Sequence, residues 1–416
     1  MSLQFITGGS GAGKSEYLSR LVCEESVRRP HDNFIVVVPE QYTMETQKKL
    51  VHMHSRKGIL NIDVVSFERL AYKVFEELGG GNRPVLDDTG KNLIVRRVLE
   101  KEKKKLDYFG SSIEKTGFVS ELKSVISELL QYGITPQQLG EIGENVKEKQ
   151  QLSAKLKDIR LVYEEFMAFL STNYITSEEI LDVLCGLVEK SKLIAGSEII
   201  FDGFTGFTPI QYKLMRLLLV YSKGIKISVT IDKKERPTGH EGWNNLFFMS
   251  KEMMNRLIAI CEEEGINVDD TVCVDRDINY RYEGAKDLAY LERNLFRYKG
   301  GVYTGTPENI RIYEGSNPKE ELQYIVSEIL QLTRKEGFRY RDIAVVTADL
   351  ETYGKVAANM MKQNDIPAFL DYKRSVASNP YVEMLCSALE IVEKGYPYDT
   401  MFRYLRTGLT GISRHD

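Results

Sequence analysis

The sequence has few cysteines and no long apolar stretch. Its five cysteines stand at positions 23, 185, 261, 273 and 386, and none is spaced as C-x-x-C. Isolated cysteines of this kind indicate reduced thiols rather than a disulfide framework or a zinc cluster. The printed chain shows neither a run of about eighteen apolar residues nor a charged-then-apolar leader. These absences exclude a membrane span and a secretory signal, and they predict a cytoplasmic protein.

An excess of positive charge is also lacking. The chain has 56 Lys and Arg against 60 Asp and Glu, a formal net charge of −4. Nucleic-acid-binding domains are typically basic, so composition alone does not favour DNA as a ligand. It does not exclude DNA either, because an acidic protein can carry a local basic groove. With 416 residues, the chain is long enough for two or more domains.

A glycine-rich motif stands at the start of the chain, directly after an apolar run at residues 3–7. It matches G-x-x-x-x-G-K-[ST] and consists of Gly8, Gly9, Ser10, Gly11, Ala12, Gly13, Lys14 and Ser15. In this motif the backbone N–H groups surround a polyphosphate, the lysine reaches the β and γ phosphates, and the serine hydroxyl binds Mg²⁺. The spacing does not fit G-x-G-x-x-G, the dinucleotide-binding and protein-kinase pattern. We therefore predict ATP and Mg²⁺ as ligands.

Strand-like and helix-like segments alternate around this motif. Apolar runs at residues 3–7, 34–38, 62–66, 198–201 and 225–230 predict the strands of a parallel sheet in an α/β fold. Residues 87–193 show long helical patterns with few strand signals, which predicts a helical insertion. The predicted domains are thus residues 1–86 plus 194–300 for the sheet, 87–193 for the insertion, and 301–416 for a further unit.

The predicted domain at residues 301–416 shows the same alternation of strands and helices but contains fewer of them. Strands are predicted at 310–313, 343–347 and 367–370, and helices at 318–335 and 350–363. This is the pattern of a second α/β domain with too few strands to complete its sheet. We therefore expect the sequence to be part of a longer protein.

An acidic residue that could complete the nucleotide site follows the predicted strand at 198–201. P-loop ATPases need an acid at the end of a buried strand to hold Mg²⁺, and Asp202 is the candidate. Motor ATPases place a glutamate beside it to position the attacking water, whereas this chain has Gly203. Loss of a general base costs about two to four orders of magnitude in rate. The alternative for Asp202 is a turn residue at a strand end, which the following glycines also fit.

Several motifs follow one another in a recognisable order. They are the P-loop, Val-Pro-Glu-Gln at 38–41, Ser-Phe-Glu-Arg-Leu-Ala at 66–71, Asp202, and Gln211. This order resembles superfamily 1 helicases of the UvrD type, with a RecA-like fold. Together with Arg83-Pro84, the stretch from Phe201 to Gln211, and Lys373-Arg374-Ser375, it resembles the AddB/RexB family. That family supplies one of the two subunits of the ATP-dependent helicase/deoxyribonuclease, and the resemblance covers essentially the whole chain.

The resemblance implies a heterodimer with an AddA-like helicase and nuclease subunit. This complex processes double-strand DNA breaks for homologous recombination and recognises the Chi sequence. The family's nuclease acids and iron–sulfur cluster would lie beyond residue 416, so the resemblance implies no catalytic residue in this chain. By the same resemblance, the segment 66–71 corresponds to a DNA-contacting motif, which makes Phe67 and Arg69 candidates for contact with DNA strands.

Departures from helicase patterns suggest a subunit that holds ATP without acting as the motor. Gly203 replaces the catalytic glutamate, 232–235 replace a Gly-Asp-x-x-Gln motif, and Ala348-Asp349 stand where an arginine is expected. Two alternatives remain open at this stage. One is a stand-alone P-loop NTPase or small-molecule kinase. The other is a DNA- or partner-binding platform with a vestigial P-loop, in which Phe67 and Arg69 would contact DNA. The competing interpretation of these two residues is ordinary core packing for Phe67 and exposure to solvent for Arg69.

Overall fold

The computed structural model describes residues 1–79, 84–115, 117–146, 149–176, 179–235, 242–297, 301–371, 376 and 378–411. The chain forms two compact units, Met1–Asn309 and Ile310–Asp416. Among the described residues, no helix is long and apolar enough to cross a membrane.

The first unit is built on a parallel sheet. The strands among the described residues of this unit are β1 (Ser2–Gly8), β2 (Asn33–Val37), β3 (Ile62–Val65), β4 (Val85–Leu86), β5 (Ile175–Thr176), β6 (Ser197–Phe201), β7 (Gly224–Thr230), β8 (Asn267–Val268) and β9 (Val272–Cys273). Strands β4 and β5 pair with each other in a separate two-stranded sheet. The strand order in the main sheet is β3-β2-β6-β7-β1-β8, with β9 also paired to β1. Every pair in this seven-stranded sheet is parallel. The predicted α/β fold with a parallel sheet is confirmed.

Alternating side chains bury both faces of this sheet. In β1, Phe5 belongs to one apolar cluster and Ile6 to the other; in β6, Phe201 and Ile200 divide in the same way. This two-residue period is what a pleated strand produces, and burial on both faces explains why these strands read as continuous apolar runs. Helices of the first unit that cover the sheet are α1 (Lys14–Arg28), α2 (Thr43–Met53), α3 (Phe67–Leu78), α10 (Pro209–Tyr221) and α11 (Phe248–Glu264). Helix α12 (Lys286–Asn294) follows the last strands of this unit.

The segment predicted as an insertion is helical. Its helices are α4 (Asp88–Glu102), α5 (Phe118–Gln131), α6 (Pro136–Asn145), α7 (Gln150–Asn173), α8 (Ile180–Cys185) and α9 (Lys192–Ala195). A separate apolar cluster, which includes Val95, Leu99 and Phe166, holds α4, α5 and α7 together. A lysine-rich segment at the C-terminal end of α4 is largely neutralised by ion pairs. Lys101 contacts Glu165 at 2.6 Å, Lys103 contacts Glu114 at 3.0 Å and Lys105 contacts Glu102 at 2.6 Å.

The second unit contains α13 (Pro318–Lys335), α14 (Leu350–Gln363), α15 (Pro380–Lys394) and α16 (Tyr398–Arg406). The two predicted helices are confirmed, but the strands predicted at 310–313, 343–347 and 367–370 are wrong for this structure. These segments carry no strand ladder, and Ile312, Val346 and Phe369 are more than nine-tenths exposed. An apolar run becomes a strand only when a neighbour satisfies its backbone groups, and that pairing is a tertiary property.

Candidate nucleotide-binding site

The phosphate loop connects β1 to α1 and takes its shape from glycine. Gly11 has φ +72° and Gly13, the residue that caps α1, has φ +95°, both in the left-handed region that other residues rarely adopt. There is also little space for a side chain at either position. A Cβ on Gly11 would lie 2.5 Å from Cβ of Arg281, and one on Gly13 would lie 3.3 Å from the Tyr280 ring. The first turn of α1 therefore presents its N–H groups at the loop.

Lys14 opens helix α1, and its side chain folds back over the loop. Its Nζ donates to the carbonyl oxygens of Gly8 and Gly9, each at 2.9 Å. Burial lowers the pKa of Lys14, while the charges of Asp202 and Asp275 oppose that shift. The ammonium is thus held beside the backbone amides, where it can neutralise a bound phosphate.

Asp202 lies in the same cleft as the phosphate loop. This cleft has a volume of about 370 Å³, and its lining includes Lys14, Ser15, Asp202, Ser228 and Arg281. Asp202 directly follows β6, and its Oδ1 accepts a hydrogen bond of 2.5 Å from the Ser228 hydroxyl on β7. Carboxyl ends of parallel strands share one edge of a sheet, which is why the distant Asp202 meets the loop after β1. Its role as a Mg²⁺ ligand beside Ser15 stays a prediction.

Gly203 differs from a catalytic glutamate in backbone as well as side chain. Its φ is +82°, and its N–H donates to the Ser228 hydroxyl at 3.3 Å. A Cβ at this position would lie 3.5 Å from Cδ of Pro39, which is ordinary contact. Backbone conformation rather than space therefore disfavours a glutamate here.

Replacing Gly203 with glutamate is expected not to create an active ATPase. The left-handed backbone should cost about 1–2 kcal/mol of stability with any side chain. A glutamate side chain on this left-handed backbone would point in a different direction from one on an extended strand. The measurements are phosphate release from ATP and the urea midpoint, with Gly203→Ala as the control that carries the strain without the carboxylate. A tenfold rise in turnover in Gly203→Glu alone would show that only the missing carboxylate limits hydrolysis.

A second group of residues at the site was not found from the sequence. Asn279, Tyr280 and Arg281 follow β9, and Glu292 lies on α12. The Arg281 N–H donates to the carbonyl of Gly11 at 3.3 Å, and its side chain lines the phosphate cleft. The signal in the sequence is an Asn-Tyr-Arg run shortly after the strand-like residues 271–274, because a parallel strand there would end near the phosphate loop.

Tyr280 borders a neighbouring cleft of about 730 Å³ on the other side of Gly13. The lining of this cleft also includes Tyr17, Arg20, Cys273 and Arg276. The Arg276 guanidinium lies 3.6 Å from the centre of the Tyr280 ring, a cation–π contact. An aromatic face and two arginines thus stand next to the phosphate loop.

The two candidate DNA contacts occupy different environments. Phe67 is only 8% exposed, and its ring packs against Phe201, Phe204 and Phe207 at centroid distances of 5.3–6.0 Å. This position favours the core interpretation of Phe67 over base stacking, which needs an accessible ring face. Arg69 is exposed on α3 and contacts Glu40 at 2.8 Å. Contact of either residue with DNA stays a prediction.

Other residues that carried the resemblance have structural explanations or lie outside the described residues. Gln211 accepts the Thr208 N–H at 2.9 Å and completes a capping box at the start of α10. Arg83 and the segment 373–375 lie outside the residues that the structure describes.

Comparison with known proteins identifies the family. Residues 5–292 match the family described as "ADDB, N-terminal". The B subunit of an ATP-dependent helicase/deoxyribonuclease from Lachnoclostridium phytofermentans is 42% identical over 416 residues, which cover 99% of this chain and 36% of that protein. Proteins with the same name from Caldanaerobacter subterraneus subsp. tengcongensis and Clostridioides difficile are each 36% identical, over 419 and 421 residues; each alignment covers 100% of this chain and 36% of the relative. The chain thus spans 36% of the length of these relatives, and it belongs to the AddB family, whose N-terminal region it matches.

Proposed function

We propose that this chain is the nucleotide-binding N-terminal region of the AddB-like subunit in a heterodimeric ATP-dependent helicase/exodeoxyribonuclease. The complex would join it to an AddA-like subunit, process double-strand DNA ends for recombinational repair and recognise Chi. Family membership supports the assignment to this subunit. In this proposal the chain holds Mg-ATP as a structural or regulatory ligand, while the partner subunit drives translocation.

The arrangement of Lys14, Ser15 and Asp202 around one cleft carries the proposal of ATP binding. Glycine at positions 11 and 13 permits the left-handed backbone of the loop, and Lys14 and Arg281 supply positive charge. The Ser15 hydroxyl and the Asp202 carboxylate are the hard oxygen donors that Mg²⁺ prefers. Bound Mg²⁺ would neutralise phosphate charge. The nucleoside would extend past Gly13 into the cleft beside Tyr280, where its base could stack on the ring.

Gly203 supports the proposal that this site holds ATP without rapid hydrolysis. No carboxylate follows Asp202 to position an attacking water. The proposed role therefore needs binding energy but no catalytic base. ATP bound only to the folded chain would contribute to its stability by mass action.

The chain is expected to bind Mg-ATP but to hydrolyse it well below one turnover per second, the lower end of the ordinary enzymatic range of about 1–1,000 s⁻¹. Calorimetric titration with Mg-ATP measures binding, and phosphate release under saturating ATP measures turnover. Turnover of one per second or faster would favour the stand-alone NTPase. Absence of Mg-ATP binding, together with salt-sensitive binding of single-stranded DNA, would favour the DNA platform.

A further inference from the structure

Ser10 is held at its carbonyl and its hydroxyl by residues far along the chain. Its carbonyl accepts from Nδ2 of Asn279 at 3.3 Å, and its hydroxyl accepts from the Arg281 guanidinium at 3.5 Å. The carboxylate of Glu292 lies beside the preceding residue, Gly9. The conformation at the start of the phosphate loop thus depends on the segment that follows β9.

Asn279 is itself fixed. It is 3% exposed, and its Oδ1 accepts the N–H of Arg276 at 3.0 Å. Its amide therefore reaches Ser10 from a defined orientation. The neighbouring Gly9 leaves little free space, because a Cβ there would lie 3.1 Å from Nδ2 of Asn279 and 3.4 Å from Oε1 of Glu292. Loop and segment are in direct contact at this point.

Glu292 brings negative charge to a loop suited to anions. Burial, the first cause, raises its pKa; the charges of Asp275 and Asp232 raise it further, while the Ser10 N–H and Arg293 oppose the shift. The opposite charges facing this region are Lys14 on α1 and Arg281. The Oδ2 atom of Asp275 accepts the Lys233 N–H at 3.1 Å. A bound polyphosphate would therefore face local acidic charge behind the loop.

We propose that Asn279 is a positioning residue for the phosphate loop, and that the nearby charge of Glu292 tunes the affinity of the site for a nucleoside polyphosphate. This inference rests on the proposed function, since it concerns the same site. The two residues would have opposing effects. The hydrogen bond from Asn279 to Ser10 preorganises the loop, which favours binding, while the negative charge of Glu292 repels phosphate, which disfavours binding.

Substitutions at the two residues separate these effects. Glu292→Gln keeps the size and polarity of the side chain, but the charge is gone. We expect Mg-ATP to bind about three- to tenfold more tightly than in the wild type at pH 8, because one negative charge near a polyphosphate has been removed. Glu292→Ala also lacks the charge, so it should bind Mg-ATP more tightly than the wild type as well. Asn279→Ala should instead weaken binding, by about three- to tenfold, because it removes the hydrogen bond to Ser10.

The pH dependence supplies a result that a purely structural role would not produce. As pH falls through the raised pKa of Glu292, the wild-type carboxyl gains a proton and loses its charge. The ratio of wild-type to Glu292→Gln dissociation constants should therefore fall toward one when the pH is lowered from 8 to the acid end of the range in which the chain stays folded. Taking this ratio cancels titration of the nucleotide itself. Calorimetric titration of the 416-residue chain with Mg-ATP measures it, and a melting curve confirms that each variant is folded.

Glu262→Gln provides the matched control, since Glu262 is an exposed carboxylate on α11. It changes the net charge equally and should leave the dissociation constant within about twofold of the wild type, as expected for a remote screened charge. Equal affinity in wild type, Glu292→Gln and Asn279→Ala at both pH values would overturn this inference while leaving ATP binding intact. Failure of the wild type itself to bind Mg-ATP would overturn both.

Discussion

Replacing Lys14 with alanine is expected to weaken Mg-ATP binding by about a hundredfold, equivalent to about 2.7 kcal/mol. The ammonium is held over the loop by the Gly8 and Gly9 carbonyls and lines the phosphate cleft. Alanine removes this charge but leaves the glycine backbone in place. ATP at a hundred times its dissociation constant should stabilise the wild-type chain by about 2.7 kcal/mol. At the same concentration the variant should lose most of this stabilisation.

Melting with and without Mg-ATP tests this expectation directly. Lys190→Ala is a suitable control, because Lys190 is an exposed lysine between α8 and α9. It should retain the full wild-type shift. An equal shift in Lys14→Ala would place ATP elsewhere, and the absence of any shift in the wild type would contradict nucleotide binding by this chain.

The parts of the site that could be predicted are those encoded by neighbouring residues. The phosphate loop is a local motif between a strand and a helix, and Asp202 follows an apolar run that could be recognised as a buried strand. Once those strands are parallel members of one sheet, here with β7 between them, their carboxyl ends share an edge. Sequence spacing and one rule of sheet geometry were therefore sufficient.

The remaining features depend on tertiary contacts. Asn279 reaches Ser10 across 269 residues, and no local pattern assigns such a pairing. The positive φ of Gly203 is visible only in three dimensions, although a glycine permits it. Phe67 illustrates the same limit, since its sequence neighbourhood does not show that three other phenylalanines surround its ring.

The aromatic cluster also relates the sheet core to the nucleotide site. Phe201 ends β6 and directly precedes Asp202, while Phe204 lines the phosphate cleft and contacts both Phe201 and Phe67. The packed rings of these phenylalanines thus support the backbone that carries Asp202. Because packed interiors relax only partly, a substitution in this cluster should alter the position of Asp202 in the phosphate cleft.

Replacing Phe201 with alanine is expected to destabilise the first unit by about 3–5 kcal/mol. The side chain is 0% exposed and lies within 6.1 Å, centroid to centroid, of three other phenylalanine rings. Truncation would remove buried apolar area, leave a cavity and end these aromatic contacts. The shift of the urea midpoint, with the slope of the transition, measures the loss.

Two further substitutions distinguish the cavity from a general effect of losing a ring. Phe201→Leu keeps most of the buried volume and should cost less than about 1.5 kcal/mol. Phe296→Ala removes a ring that is 77% exposed in the same unit, and should change stability by less than about 0.5 kcal/mol. If Phe201→Ala costs no more than Phe296→Ala, the cluster does not support the strand that carries Asp202. If Phe201→Leu stays stable and still gains stability from Mg-ATP, volume at this position is enough to keep Asp202 in place.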